Sequence, residues 1–144
     1  MSNDSDIVRR LFAEEIPEIA AGTIEIKAIA RKPGSRSKLA LQSHDSRVDC
    51  IAACVGVRGA RIKKIVDSLS GERIDLHRWH VSPERLIANA LQPEAIAEVI
   101  LHPVQHRAVV VMKADHVSLA RGRRDENREL ASRLCGWQIE IKEQ

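Results

Sequence analysis

Gly56-Val57-Arg58-Gly59 places a cation at the tip of a segment with glycine at both ends, and Gly122-Arg123-Arg124-Asp125 repeats the pattern 66 residues later with the closing glycine lost. Glycines let a chain turn tightly and let another backbone approach with no Cβ in the way. Behind the first loop Ile62, Ile65, Val66 and Leu69 recur at the i, i+3, i+4, i+7 spacing of an amphipathic helix, with Arg61, Lys63 and Lys64 on its flanks. The loop therefore opens a helix whose unpaired N–H groups and positive dipole end favour an anion, and a phosphate suits such a place. Between Arg47 and Lys64 the only acid is Asp49, so the local field is basic. Ahead of the loop, Ile51 to Val55 form a short apolar run, so that Ile51, Val55 and Ile62 line a groove able to receive bases while Arg58 holds phosphate and Arg61 and Lys64 extend the basic path. A lone G-x-x-G is also an ordinary helix-to-helix turn, so its weight depends on what surrounds it.

Other chemistries find less support. Cys50, Cys54 and Cys135 are odd in number and contain no C-x-x-C pair, which argues against a disulfide framework or a zinc ribbon and suits a reducing cytoplasm. His77 and His80, or His102 and His106, lack a matching cysteine or carboxylate cluster, so no metal is expected and these histidines read as surface residues. No phosphate loop with lysine and threonine, no G-x-S-x-G and no framed carboxylate pair occurs, so neither an enzyme nor a cofactor is expected. With no tyrosine, one phenylalanine and two tryptophans, the chain has no aromatic platform on which to stack successive bases. The net charge of +3 is modest, but Arg31, Lys32, Arg36, Lys38 and Arg47 are followed by Arg58, Arg61, Lys63 and Lys64, the patchy footprint of a backbone binder. Met1 to Asp6 is polar and acidic, unlike a signal peptide, and no stretch approaches the length of apolar residues that spans a membrane.

The elements that position these residues occur twice. Ile7, Val8, Leu11, Phe12 and Ile16 predict an opening helix broken near Pro17. Ile24, Ile26 and Ala28, then Leu39 and Leu41, alternate with polar residues around the Pro33-Gly34-Ser35 turn and predict a hairpin. Two helices flank the first loop, Gly71 caps the second of them, and Arg73 to Trp79 forms a strand. Ser82-Pro83-Glu84 then starts a helix running to about Leu91, with a capping serine, proline at the first position and an early acid. Ala97 to Leu101 and Ala108 to Lys113 predict a second hairpin, Asp115 caps a short helix, and after the second loop come a helix with Leu130 and Leu134 and a strand with Trp137, Ile139 and Ile141. Letters echo as well: Leu69-Ser70-Gly71-Glu72-Arg73-Ile74-Asp75-Leu76 against Leu134-Cys135-Gly136-Trp137-Gln138-Ile139-Glu140-Ile141. Trp79 and Trp137 end and begin equivalent strands, which suits packing better than base stacking.

The order helix, strand, strand, helix, G-x-x-G, helix, strand resembles the prokaryotic, type II K-homology (KH) domain, and the tandem pair resembles the RNA-binding core of the NusA family of bacterial transcription elongation and termination factors. The resemblance runs from about Val8 to Lys142 and is carried by Phe12 to Lys27, Ala53 to Gly59, Ile87 to Leu91 and Leu134 to Trp137. It implies an α+β fold of two KH domains, 1–80 and 81–144, each a three-stranded sheet packed against helices, and a function in binding single-stranded RNA during elongation, termination or antitermination. Both domains would offer a surface to one extended strand. The family's polymerase-docking domain and small barrel do not fit ahead of Val8, so contact with RNA polymerase does not carry over directly. In the second loop the family pattern Gly-Lys-x-Gly becomes Gly122-Arg123-Arg124-Asp125, and Asp125 and Glu126 put carboxylates where phosphate would approach. Asp125 is expected to cap the following helix in place of a bound anion, with Gly122, Arg123 and Arg124 as a weakened second RNA contact. The rival expectation is a KH scaffold turned to a protein partner such as polymerase, an elongation factor or the ribosome.

Overall fold

The computed structural model describes residues 4–92 and 96–144, and the chain divides into two compact units between Trp79 and His80. The amino-terminal residues 1–3, part of the stretch read above as unlike a signal peptide, lie outside the described residues. Among the described residues no helix is long and apolar enough to cross a membrane.

The first unit runs α1 (Asp4–Glu15), α2 (Pro17–Ala20), β1 (Ile24–Lys32), β2 (Arg36–Ser43), α3 (Cys50–Val55), α4 (Ala60–Ser68) and β3 (Arg73–Arg78). Spacing of four places Val8, Phe12 and Ile16 on one face, all fully buried against Leu39 and Leu41 of β2, Cys54 of α3 and Ile65 of α4. Pro17 stops α1 but begins the short α2, a helix the sequence did not suggest, because proline is at ease in a first turn. β1 and β2 are an antiparallel hairpin, and β3 joins β2 in parallel, so α3, the loop and α4 form the crossover between two parallel strands. At the end of α4 Ser70, φ 58°, takes the left-handed position, and Gly71 follows with its N–H on Val66 O. Gly71 thus completes the cap rather than starting it.

β2 is buried on both faces. Leu39 and Leu41 face the helices, while Lys38 and Ala40 point the other way beside Asp75 and His77 of β3. Lys38 Nζ lies 3.1 Å from Asp75 Oδ2 and 3.2 Å from His77 Nε2, and Arg36 also binds Asp75. His77, read from sequence as a surface residue, is 3% exposed; an even pattern of polar residues cannot reveal that both sides of a strand are covered. Burial pushes the Lys38 ammonium down to about 8 against the opposing pull of Asp75. Burial works against the ionised Asp75, but Lys38 and Arg36 outweigh it and hold the carboxyl below its ordinary range. Glu72 behaves alike, since hydrogen bonds from Arg31, Ser37 and the Gly34 amide overcome its burial and tie the hairpin turn to the start of β3.

The second unit repeats the order as α5 (Pro83–Leu91), β4 (Ile96–His102), β5 (Arg107–Met112), α6 (Ala114–Arg121), α7 (Glu126–Cys135) and β6 (Gln138–Glu143). Its sheet has the same order and the same mixture of antiparallel and parallel pairs, and even the bulge near the start of β1 recurs near the start of β4. Ile87, Ala90 and Leu91 of α5 join Leu130 and Ala131 of α7, Val110 and Met112 of β5 and Ile139 of β6 in the core. Ser82 Oγ accepts the Arg85 N–H at the start of α5, as the sequence suggested. The cap expected at Asp115 is not formed: Lys113 is the N-cap of α6, and Asp115 lies inside the first turn.

Candidate nucleic-acid interface

Asp49 starts the approach to the first loop. Its side chain accepts the N–H groups of Ile51 and Ala52, fixing the N-terminus of α3, and pairs with Arg78 through both oxygens at 3.0 Å, fixing that helix to the end of β3. Hydrogen bonding from Arg78 holds the Asp49 carboxyl below its usual range. α3 ends at Gly56, whose N–H reaches Ala52 O, and a turn over Val57 to Gly59 closes through Gly59 N–H to Gly56 O at 3.1 Å.

The two glycines do different work. Gly56 has φ 79° and ψ 174°, a conformation almost confined to glycine, and a Cβ there would stand 2.7 Å from Arg61 Cγ and 3.0 Å from the Arg61 backbone nitrogen. Gly59 has φ 73° and ψ 14°, ordinary left-handed geometry, and an added Cβ would meet nothing within 4 Å. Between them Arg58 is itself left-handed, φ 56° and ψ 28°, and exposed, while Val57 is 83% exposed. Among the described residues no side chain caps α4; the Ala60 N–H is taken by Val57 O within the turn, and the positive end of the helix faces the loop.

The second loop keeps this backbone despite its altered letters. Gly122 has φ 74° and ψ 179°, Arg124 φ 57° and ψ 28°, and Asp125 φ 62° and ψ 15°, each close to its counterpart. An aspartate tolerates the left-handed well better than most residues, so losing the closing glycine leaves the turn intact. Arg123 and Arg124 are exposed. The expectation that Asp125 caps α7 fails: it holds the N-cap position, but its carboxylate accepts no backbone amide. It turns instead to Arg128, with Nη2 2.7 Å from Oδ2, while Oδ1 lies 3.7 Å from Arg121 Nη1 without a hydrogen bond. Hydrogen bonding to Asp125 raises the pKa of Arg128, so the carboxylate is balanced within the protein.

Five residues beyond the first glycine of each loop stands a side chain that secures it. Arg61 Nη1 donates to Ala53 O at 2.8 Å and to Glu18 of α2 at 3.1 Å. Asn127, buried, donates through Nδ2 to Ala120 O at 2.8 Å and to Leu91 O at 3.0 Å. Each side chain packs where a Cβ on that glycine would lie and ties the helix after the loop to the helix before it. Sequence reading placed Arg61 on the basic path and did not single out Asn127. The shared offset from Gly56 and Gly122 was the available signal.

The remaining singled-out residues fall around the first loop. Ile51 and Ile62 are half-buried and pack against the core cluster, and Val55 is half-buried at the end of α3. Lys64 stays largely exposed with Glu15 at 3.7 Å, and Lys63 pairs with Asp67. The acids Glu15 and Glu18 reach the basic helix from α1 and α2, so the loop's surroundings are less positive than the linear run from Arg47 to Lys64 suggests. Trp79 lies under the Lys27 ammonium, 4.5 Å from the ring centre, and Trp137 sits beside His106.

A twice-repeated α+β unit, with a glycine-opened turn between two helices inside a parallel crossover, defines a tandem prokaryotic-type KH protein. Residues 2–79 match the NusA-like first KH domain and residues 83–144 the NusA-like second KH domain. The chain belongs to the NusA-like KH-domain family. It is 41% identical over 136 residues to the transcription termination/antitermination protein NusA of Bacillus subtilis (strain 168), covering 94% of this chain and 37% of that protein. It is 40% identical over 141 residues to the protein of the same name from Rickettsia prowazekii (strain Madrid E), covering 96% of this chain and 28% of that one. The chain thus spans little more than a third of these relatives at most. The crystal structure of APE1850 superposes with a TM-score of 0.62 at 18% identity, covering 91% of this chain and 96% of that one, a likeness of fold alone.

Proposed function

We propose that the chain binds single-stranded RNA and serves transcription elongation, termination or antitermination in the cytoplasm, with RNA polymerase or other transcription factors as partners of the complex it joins. The observation that carries this reading is the loop backbone, held to the same unusual torsions in both units although one loop has lost a glycine. Arg58 meets a phosphate together with the uncapped start of α4, Lys64 adds a second cation, and Ile51, Val55 and Ile62 take the flanking bases. Arg123 and Arg124 offer the same to phosphate in the second unit. The loss of glycine at Asp125, the motive for a protein-binding scaffold, loses force because the turn is unchanged and the carboxylate is paired.

The test is binding to a randomised single-stranded RNA pool by the intact chain and by a Val57→Asp/Arg58→Asp variant, whose aspartates suit the loop torsions. If about four phosphates are neutralised, log K falls with log salt at a slope of roughly −3, since single strands give about −0.7 per contact. Salt-sensitive binding lost in the folded variant supports the reading; a flat salt response or undiminished binding overturns it.

A further inference from the structure

The helices after the two loops meet their sheet edges through different chemistry. In β6 the Gln138 N–H reaches His106 O and the Gln144 N–H reaches Met112 O, so the even-numbered amides face β5 and those of Ile139 and Ile141 face the open edge. Two side chains of α7 close that edge at Ile139: its N–H donates to Ser132 Oγ at 3.0 Å, and its carbonyl accepts from Arg128 Nη1 at 3.0 Å. Arg128 also reaches Asp125, with Nε 2.8 Å and Nη2 2.7 Å from Oδ2. The Arg128 side chain therefore links the loop to the strand, and the open groove of about 350 Å³ beside it is lined by Arg121, Asp125, Arg128 and β6.

Counted from the first glycine of each loop, Arg128 and Ser132 correspond to Ile62 and Val66, and Asp125 to Gly59. By sheet register Ile139, opposite Ala108, corresponds to Ile74, opposite Ser37. In β3 the Arg73 and Trp79 amides bond β2, so Ile74 turns its N–H and C=O outward. Hydrocarbon side chains at 62 and 66 have nothing to offer them, and among the described residues no side chain bonds them. The corresponding edge of the first unit thus carries half-buried hydrocarbon side chains at Ile62 and Val66 beside a donor and an acceptor on Ile74 that no side chain occupies, features that suit a base. In the second groove the corresponding groups are already bonded to the protein's own side chains.

We propose that the two units divide recognition: the first groove selects bases, while the second, closed at its edge by Arg128 and Ser132 and anchored by Asp125, holds RNA through its phosphates with little regard to sequence. This rests on the RNA-binding reading above. It makes Asp125 and Arg128 the residues that set the selectivity of the second unit.

The test starts from an RNA selected by the intact chain from a randomised pool, each position then substituted singly. One contiguous group of positions is expected to be sensitive, each change costing about tenfold in affinity, as one lost base contact does. Placing the second unit's chemistry in the first (Gly59→Asp/Ile62→Arg/Val66→Ser) is expected to reduce those penalties below about twofold while salt-dependent binding persists. The reverse change, Asp125→Gly/Arg128→Ile/Ser132→Val, leaves the first group sensitive and adds a second group on reselection, and it keeps the proposal falsifiable if the first variant fails to fold. Two separate, equally sensitive groups in the intact protein, or no new group in the folded reverse variant, overturns the division while leaving RNA binding standing. Absence of RNA binding by the intact chain overturns both.

Discussion

Replacing Gly56 by alanine is expected to destabilise the first unit far more than the same change at Gly59, although both stand in one motif. At Gly56 the torsions φ 79° and ψ 174° lie where essentially only glycine is at ease, and forcing another residue there costs about 1–3 kcal/mol. The new Cβ also comes within 2.7 Å of Arg61 Cγ and 3.0 Å of the Arg61 backbone nitrogen. The side-chain contact yields only if Arg61 moves, which loosens its bonds to Ala53 O and Glu18; the backbone contact cannot yield so easily. At Gly59 the Cβ enters open space, so the left-handed backbone is the main term, about 1–2 kcal/mol, with a few tenths returned through a stiffer unfolded chain. Asp125 shows a side chain accommodated at the equivalent position with φ 62°. The expected costs are therefore about 3 kcal/mol for Gly56→Ala and about 1 kcal/mol for Gly59→Ala. Urea unfolding followed by Trp79 fluorescence, with Trp137 exchanged for phenylalanine in every variant, isolates the first unit. An equal cost at both positions, or a larger one at Gly59, refutes the reasoning.

Three further outcomes follow from the same geometry. Arg61→Ala weakens RNA binding several-fold through a misplaced loop and leaves the salt slope unchanged, whereas Arg58→Ala reduces the slope by about 0.7; equal slope losses at 58 and 61 contradict the positioning role. Asn127→Ala strips a buried donor from Leu91 O and Ala120 O and is expected to cost about 1–3 kcal/mol in the second unit, measured by the unfolding of Trp137. Stability depends on pH at both ends: Glu72 and Asp75, held low in the folded protein, contribute above their unfolded range and lose that contribution as pH falls through their folded values. Lys38, about 8 when folded against 10.5 ordinarily, sheds its proton first in the folded state, so stability rises with pH above 8 until the unfolded Cys54 thiol, ordinarily 9.0 but about 12 when buried, begins to ionise and opposes it. Unfolding free energies between pH 7 and 9 check the rise, and a Lys38→Met variant should lack it.

The fold was legible because each local signal agreed with the next: alternating residues on either side of Pro33-Gly34-Ser35, helical spacing after Gly56, and Ser82-Pro83-Glu84 at the start of α5 all led to the observed elements. What escaped depends on distant partners. Arg61 reads as surface charge because Glu18, its acid, lies far away in sequence on a helix that Pro17 seemed to forbid. Asp125 reads as a cap because aspartate before a helix commonly is one, yet its left-handed backbone carries the carboxylate toward Arg128 instead. Alternation in β3 marks Ile74 and Leu76 as inward and cannot show that His77 and Asp75 are also covered.

The first loop lies wholly inside the connection that carries the chain from β2 to its parallel partner β3. The β1–β2 hairpin is a local structure able to form early, but β3 must return across the entire crossover before α3 and α4 have a complete sheet to rest on, and such long-range pairing is slow. Asp49 makes the dependence concrete, since its pairing with Arg78 joins the start of α3 to the last residue of β3. During synthesis every residue from Gly56 to Gly59 has therefore left the ribosome's active centre before the strand that braces them exists. A nascent chain ending ahead of Arg73 carries the motif in full as letters, but the turn is braced only when the last strand of the unit arrives.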